Sequence, residues 1–411
     1  MTSIRRSIVS YTSSVMYCRL AAIVQSLVVI RWMEPADLGV WLALQLITIY
    51  GAHTHLGMLN AVNRQLPLHR GREEFDRAER IENVARGSLS LIMLAGMAVV
   101  AVMALSGMGS SDYGRGAIAL AFTAIVTLGV EFHLGIFRSR NEFGRAGLAG
   151  VVNATVIVAG LPLVYYWRYD GLLWRVALAA MITLAVCLGM NRWNFKVAFD
   201  WRETRSLIRT GAPILVVVLG LAAFAAMDRT LIVWLLDEQA MGHYALCFAV
   251  AKIMKMFPTT FGQVFYPRMT ALYAKEGLSR NLLRRCVQAS LLSVAAVSVT
   301  AVGAVAALPW AVDRFFPKYA PGLPALRIAI VAYVILSLAA GPTYFLISTM
   351  QKRRQLVALI AGTATMVVFA TQFAPRTLEG IAWSLVAGTA VYISGLWAIV
   401  LSSTLRPRVA T

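Results

Sequence analysis

Five charged residues interrupt long apolar runs of this sequence, where a membrane-spanning segment would otherwise meet lipid. An ionised side chain at the centre of such a segment costs about 2.5–3.5 kcal/mol. We therefore expect these side chains to face a protein interior or a hydrated cavity. Four of the five are cationic, and together they predict a cavity that accommodates an anionic group crossing the bilayer. The five are Arg19, Asp228, Arg229, Lys252 and Lys255.

The composition identifies the class of protein that carries these residues. The chain has 411 residues, of which 59% are hydrophobic and 14% charged, and its mean hydropathy is +0.69. This profile is typical of polytopic helical membrane proteins and not of soluble domains. The net charge of +19 does not indicate nucleic acid binding, because the cytoplasmic loops of membrane proteins collect Lys and Arg. The four cysteines show no CxxC spacing, so neither a disulfide nor a metal site is predicted.

Apolar runs long enough to cross about 30 Å of hydrocarbon predict about twelve transmembrane segments. Backbone polar groups in lipid must be satisfied within each segment, so the segments are helices. The predicted fold class is therefore an all-α polytopic membrane protein. The runs lie at roughly 8–30, 38–60, 84–105, 117–137, 146–166, 172–190, 211–236, 240–265, 287–309, 324–349, 355–373 and 380–402.

The basic residues alternate in density from one connection to the next. Most of the 38 Lys and Arg residues fall before the first run and in every second connection after it. Since cytoplasmic loops carry the excess of Lys and Arg, this pattern predicts that the N- and C-termini are both cytoplasmic. The first run is interpreted as a span and not as a signal peptide, because many similar runs follow it.

The second half of the chain repeats features of the first at a separation of about 200 residues. Glu34–Trp41 follows the first run and Asp237–Tyr244 follows the seventh, and both place two acids before a glycine with an aromatic residue two positions later. Similar matches follow in the same order along both halves. Together they predict two parallel six-helix repeats. The predicted domains are an N-terminal lobe at 1–190, a basic amphipathic cytoplasmic linker at 191–210 and a C-terminal lobe at 211–411.

Transporters built from such repeats bind their substrate at the interface between the repeats. The first two helices of each half carry the unusual polar residues of this chain. Lys252 and Lys255 are three residues apart, so they share one helix face. Asp228 fits a structural pair with another helix as well as a position in the cavity. The residues predicted to bind substrate in a central cavity are Arg19, Arg229, Lys252, Lys255 and Asp228.

A second group of residues is predicted to act as a gate or in coupling to an ion. Asn60 and Arg64 are four positions apart at the end of the second run and would form a cytoplasmic gate. The two histidines fit either proton sensing or ordinary hydrogen bonding. Glu131 lies about two helical turns before Arg138, so a structural ion pair with Arg138 is the alternative to a role in coupling. The group consists of Asn60, Arg64, His53, His55 and Glu131.

Several segments resemble one known family. Arg31–Trp41 is similar to that family's first periplasmic turn, although Leu38 replaces its usual aromatic residue. Leu56–Arg64 and Leu207–Pro213 are similar to its segments at the second and seventh helices, and Asp228-Arg229 is similar to its Asp-Arg pair. The resemblance covers nearly the whole chain. It is to the Wzx, or PST, polysaccharide flippases of the multidrug/oligosaccharidyl-lipid/polysaccharide (MOP) superfamily.

The resemblance implies a fold, an activity and partners. The fold would be a V-shaped bundle like that of MATE transporters. The activity would be the flipping of an undecaprenyl-diphosphate-linked oligosaccharide, a repeat unit of O-antigen, capsule or exopolysaccharide, across the bacterial inner membrane by alternating access. Its partners would be membrane lipids, H⁺ or Na⁺ as coupling ion, and polysaccharide polymerase and chain-length proteins, with no nucleic acid.

Two other functions stay open at this point. A cation-coupled multidrug exporter of the same superfamily would need a cavity dominated by acids, and here cations dominate. A membrane glycan polymerase or glycosyltransferase would need room for catalysis outside the membrane. The sequence contains none of the common nucleotide-binding or hydrolase motifs, so no enzymatic activity and no cofactor are expected.

Overall fold

The computed structural model describes residues 2–192 and 196–405, and the described part of the chain consists of helices and the turns that connect them. Positions 193–195, within the predicted linker, lie outside the described residues. The all-α prediction is confirmed. The side-chain oxygen of the residue before a helix often accepts a hydrogen bond from the first turn, as Ser111, Asp237 and Ser279 do here over 3.0, 2.7 and 3.1 Å.

The chain divides into two compact units. The first unit comprises the residues up to Met33 together with Val40–Leu219, and the second comprises Glu34–Gly39 together with the residues from Gly220 onward. The predicted linker at 191–210 therefore falls inside the first unit. The boundary after Leu219 lies within one continuous helix.

Eight helices begin before this boundary. The last of them passes from the first unit into the second. They are α1 (Thr2–Trp32), α2 (Pro35–Gly51), α3 (Met58–Gly71), α4 (Phe75–Leu105), α5 (Asp112–Ser139), α6 (Phe143–Ala159), α7 (Leu161–Met190) and α8 (Trp201–Leu235).

Seven further helices follow in the second unit. A short turn of 3₁₀-helix at Pro317–Gly322 precedes the fourth of them, and a π-helical turn at Phe369–Phe373 follows the sixth. The seven are α9 (Glu238–His243), α10 (Ala245–Glu276), α11 (Arg280–Phe315), α12 (Leu323–Ser337), α13 (Ala340–Ser348), α14 (Lys352–Val368) and α15 (Leu378–Leu405).

Nine helical segments among the described residues are long and apolar enough to cross a membrane, which confirms a polytopic membrane protein. The other three predicted spans fall on α2 with α3, on α6 and on α10. The first of these is interrupted at 52–57, and α6 has only 17 residues. Backbone angles of φ 46° and ψ −116° at Arg168 divide α7, where the sequence predicts the connection between its fifth and sixth spans. The number of crossings and the side of the termini stay predictions.

Two glycines in segments that resemble the flippase family touch each other in the first unit. Gly57 has a φ of 89° and begins α3, and Gly211 lies in α8. A Cβ atom on Gly57 would lie 2.6 Å from the backbone nitrogen of Ala212, and one on Gly211 would lie 1.9 Å from the carbonyl oxygen of Gly57. Glycine is required at both positions because the two backbones are in direct contact.

The two turns of the internal repeat pack against each other in the second unit. A Cβ atom on Gly39 would lie 1.7 Å from the carbonyl oxygen of Glu238, and one on Gly242 would lie 1.8 Å from the carbonyl oxygen of Pro35. The contact is reciprocal, since each glycine faces the backbone of the other turn. It explains why Glu34–Gly39 belongs to the second unit.

The described part of the linker is bound to α4. The backbone N–H of Ala198 donates to the carbonyl oxygen of Asn83 over 3.1 Å. Arg80 forms an ion pair with Asp200 at 2.9 Å, and Arg77 forms one with Glu203 at 2.9 Å. Hydrogen bonds from the backbone N–H of Glu203 and from the Arg80 guanidinium lower the pKa of the Asp200 carboxyl.

Candidate functional site

The second unit contains a cavity of about 290 Å³ that brings two of the predicted site residues together. Asp228 reaches it from α8 and Lys255 reaches it from α10. The remaining lining is mainly apolar and aromatic and comes from α8, α10, α12, α13 and α15. Its polar and aromatic members include Phe224, Thr259, Tyr333, Thr343, Tyr344 and Tyr392.

The two charged residues of the cavity differ in accessibility. Asp228 is 5% exposed, and its Oδ1 accepts a hydrogen bond from the backbone N–H of Arg229 over 2.8 Å. Lys255 remains accessible because its side chain borders the cavity. The Lys255 ammonium lies 5.5 Å from the centroid of the Tyr333 ring, within the range of a cation–π interaction. The cavity therefore offers a cation to a ligand, while the carboxylate forms part of its wall.

Arg229 lies next to this cavity but is not one of its lining residues. Its guanidinium carbon stands 4.2 Å from the centroid of the Phe248 ring. Its Nε is buried and has no hydrogen-bond partner among the described residues. A buried donor without a partner costs free energy, so a bound anion that reaches this nitrogen would recover it.

Lys252 lies one turn before Lys255 on α10. The side chain is exposed and does not line the cavity. The predicted set of four residues in the C-terminal half is therefore divided by the structure. Asp228 and Lys255 share one cavity, Arg229 contacts Phe248 beside it, and Lys252 is exposed outside it.

In the first unit, Arg19 is half-buried on α1. Its neighbour Cys18 lines a smaller cavity of about 220 Å³ between α1 and α6, together with Gln25 and Asn153. Arg19 is not among the lining residues of this cavity.

The predicted gate and coupling residues occupy the turn between α2 and α3, α3 itself and α5. His53 Nδ1 lies 2.9 Å from the carbonyl oxygen of Ile49, and His55 Nδ1 accepts the backbone N–H of Gly57 over 3.0 Å. Both histidines thus make local hydrogen bonds, and their ring centroids are 6.4 Å apart.

The other three members of that group lie in different surroundings. Asn60 is half-buried, and its Nδ2 has no hydrogen-bond partner among the described residues, whereas Arg64 is exposed. Glu131 lies 3.8 Å from Arg138 in an exposed ion pair, which is the contact that their spacing indicates. The role of each in gating or coupling stays a prediction.

Two sets of buried charges were missed by reasoning from the sequence. Arg175 on α7 is 4% exposed, and its Nε and Nη1 have no hydrogen-bond partners among the described residues. Glu82 on α4 is 2% exposed and forms ion pairs with Arg70 on α3, with Arg86 on α4 and with Arg140, which directly follows α5. Arg175 lies near the end of a run, where Arg is common, and the partners of Glu82 are distant in sequence, so neither position gave a distinct signal.

The fold and the charges inside its helices define the class of protein, a multi-pass membrane protein with the fold of MOP superfamily transporters. A multidrug resistance MATE family transporter in an inward-facing conformation matches with a TM-score of 0.75 at 16% identity, covering 98% of this chain and all of that one. The lipid II flippase MurJ in an inward closed conformation matches with a TM-score of 0.74 at 10% identity, covering 97% of this chain and 88% of that one.

A third solved structure is a MOP superfamily transporter from Pyrococcus furiosus whose binding pocket is described as having reverse polarity. It matches with a TM-score of 0.61 at 18% identity, covering 98% of this chain and 97% of that one. No curated protein matches the sequence. The family model for polysaccharide biosynthesis proteins matches residues 4–273, so the chain belongs to the polysaccharide biosynthesis protein family. The resemblance seen in the sequence is confirmed.

Proposed function

We propose that this protein flips an undecaprenyl-diphosphate-linked oligosaccharide from the cytoplasmic to the periplasmic leaflet of the bacterial inner membrane. Membership of the polysaccharide biosynthesis family supports a glycan substrate. The fold supports transport, because the solved structures that match are described as transporters or flippases.

One observation supports an anionic cargo above all others. Lys255 borders a mainly apolar cavity with an accessible side chain, and the half-buried Arg229 beside the cavity has a buried Nε without a hydrogen-bond partner among the described residues. A diphosphate carries about two negative charges, and removing each from water costs several kcal/mol unless other groups replace the hydration shell. Accessible cations within the helices supply that replacement.

The four embedded cations would contribute in two ways. Arg19 and Arg229 would each donate two parallel hydrogen bonds to phosphate oxygens, whereas Lys252 and Lys255 would act as point charges. In this proposal cations from both halves take part in one central chamber that opens to each side in turn. Energy would come from an H⁺ or Na⁺ gradient or from consumption of the product outside.

A cation-coupled multidrug exporter is the second candidate, and the likeness to MATE transporters favours it. Such a protein binds cationic cargo and needs accessible acids. In the cavity described above the carboxylate of Asp228 is buried and the accessible charge is that of Lys255. This arrangement favours the flippase.

Deletion of the gene followed by lipid analysis tests the proposal. A flippase mutant accumulates single lipid-linked repeat units on the cytoplasmic side. A polymerase mutant would accumulate them outside, and an exporter mutant would only become sensitive to drugs. Complementation with the wild type and with Arg284→Ala, which alters an exposed arginine of α11 away from the cavity, should restore the surface glycan.

A further inference from the structure

A cavity in the first unit, separate from the proposed transport site, lies where the end of α3, the start of α4 and the end of α5 meet. Its volume is about 770 Å³. The lining is mixed, with three arginines, two acids and one aromatic ring among its members. These residues are Arg70, Arg138, Arg140, Glu79, Glu82 and Phe75.

One carboxylate in the wall of this cavity receives three guanidinium groups. Glu82 accepts from Arg70 at 2.9 Å, from Arg86 at 2.7 Å and from Arg140 at 2.9 Å. Its side chain is 3% exposed. Three cations on one anion leave this cluster with an excess of two positive charges. An excess of this kind is costly where water is largely excluded.

The neighbouring ion pairs do not remove the excess, because each of them is neutral in itself. An anion that enters the cavity, where Arg70 and Arg140 of the cluster face it, would offset part of this excess. Arg138 adds a third guanidinium to the lining. The neighbouring pairs are Arg138–Glu131, Arg145–Glu142 and Lys196–Glu79.

The rim of the cavity is suited to lipid. Phe75 lines the cavity and is 64% exposed. Leu68, which precedes it in the sequence on α3, is 45% exposed. Phe75 begins α4, a helix long and apolar enough to cross the membrane, so the cavity lies at one end of a span. The basic residues around it predict the cytoplasmic side, where the leaflet is anionic.

We propose that this cavity binds the phosphate group of an anionic phospholipid, with the guanidinium groups of Arg70, Arg138 and Arg140 as donors. The headgroup offsets one of the two excess positive charges on the Glu82 cluster, and an acyl chain passes over Phe75 into the bilayer. Charge-assisted hydrogen bonds from arginine to phosphate provide the recognition. The site stabilises the first unit and does not depend on the transported substrate.

Thermal unfolding of the purified full-length protein in detergent measures this binding, because a ligand that binds the folded state raises the unfolding temperature. The probes are phosphatidylglycerol, phosphatidylcholine and inorganic phosphate. We expect phosphatidylglycerol to bind at least tenfold more tightly than phosphatidylcholine. Inorganic phosphate at the same concentration should produce no comparable shift, because it lacks the acyl contact.

Two variants that leave the Glu82 cluster intact locate the binding. Arg138→Gln removes an exposed donor, and Asn141→Asp adds a negative charge to the lining at a position whose φ of 59° Asp tolerates. Each should weaken phosphatidylglycerol binding about fivefold, the effect of one charge near a membrane surface. Arg145→Gln, which changes an arginine outside the lining, should alter it less than twofold.

Three results would overturn the proposal. Equal binding of the two phospholipids would show that charge is not recognised. Equal stabilisation by inorganic phosphate would assign the cavity to a free anion. Unchanged phosphatidylglycerol binding in both Arg138→Gln and Asn141→Asp would place the lipid elsewhere.

Discussion

The cavity of the second unit and the Glu82 cluster of the first unit both place charged side chains between helices, but they use the charges differently. In the second unit, Lys255 is accessible in a mainly apolar cavity of about 290 Å³. In the first, Arg70, Arg86 and Arg140 are fixed on one buried carboxylate. An accessible cation suits a ligand that enters and leaves, whereas a fixed network suits a ligand that stays. The number of charges alone therefore does not identify a transport site.

The largest expected difference between the two regions is in stability. Glu82→Gln leaves three guanidinium groups without their carboxylate, and breaking a buried ion pair in this way costs about 3–5 kcal/mol. We expect a large fall in unfolding temperature and in the yield of monodisperse protein. Asp228→Asn retains an acceptor for the Arg229 N–H but removes the negative charge near Arg229 and Lys255, so it should cost about 1–3 kcal/mol, less than Glu82→Gln. Equal effects of the two substitutions on the unfolding temperature would remove the distinction between the regions.

The second prediction concerns export of the glycan and not the stability of the protein. Arg229→Ala and Arg19→Ala should abolish surface glycan while the protein remains at normal levels in the membrane. Arg→Lys at either position should be poorly tolerated if forked hydrogen bonds to phosphate matter and partly tolerated if only the charge matters. Immunoblotting of membranes controls for protein level. Unchanged surface glycan in both alanine variants would exclude these residues from the mechanism.

A third prediction concerns the two turns of the internal repeat. Gly242→Ala places a Cβ atom 1.8 Å from the carbonyl oxygen of Pro35, so the turns must separate. Overpacking of this kind costs about 1–3 kcal/mol. Gly303→Ala is the matched control, since a Cβ atom there has no neighbour within 4 Å. The measurement is thermal unfolding in detergent, and a similar midpoint for both variants would show that the turns are not in close contact.

The smallest expected effect is a pH dependence in the binding of the linker to α4. Asp200 has a lowered pKa, so its contribution to holding the linker on α4 is complete above the pKa of the unfolded chain and is lost as the pH falls through the folded value. Nicking of the linker by pepsin should therefore increase as the pH falls below about 4, the ordinary pKa of Asp, relative to a denatured control. Asp200→Asn should show no such change, and an identical pH profile in both proteins would contradict the assignment.

The sequence predicted those features that local patterns determine. Apolar runs predicted the helices. The repeat pattern matched Gly39 with Gly242, and the turns that carry these two glycines lie in reciprocal contact. Asp228 and Lys255 were found because a charge within an apolar run is costly in lipid and therefore indicates a protein interior or a cavity.

What the sequence could not predict depends on contacts between distant segments. Tyr333, Tyr344 and Tyr392 line the cavity. A tyrosine in an apolar run also fits the aromatic belt at a membrane interface, so its presence in the sequence does not indicate a cavity. Glu82 is one acid among many charges in a basic stretch. Only the fold shows that Arg70 on α3, Arg86 on α4 and Arg140, which directly follows α5, converge on it.

In the proposed function, accessible cations within the helices bind the diphosphate while it crosses the bilayer. A flipping assay with purified protein in vesicles and a fluorescent polyprenyl-diphosphate-linked oligosaccharide tests it most directly, with Lys255→Met as the variant and Arg284→Ala as the control. We expect at least a tenfold lower flipping rate for Lys255→Met and the wild-type rate for the control. A wild-type rate for Lys255→Met would contradict it.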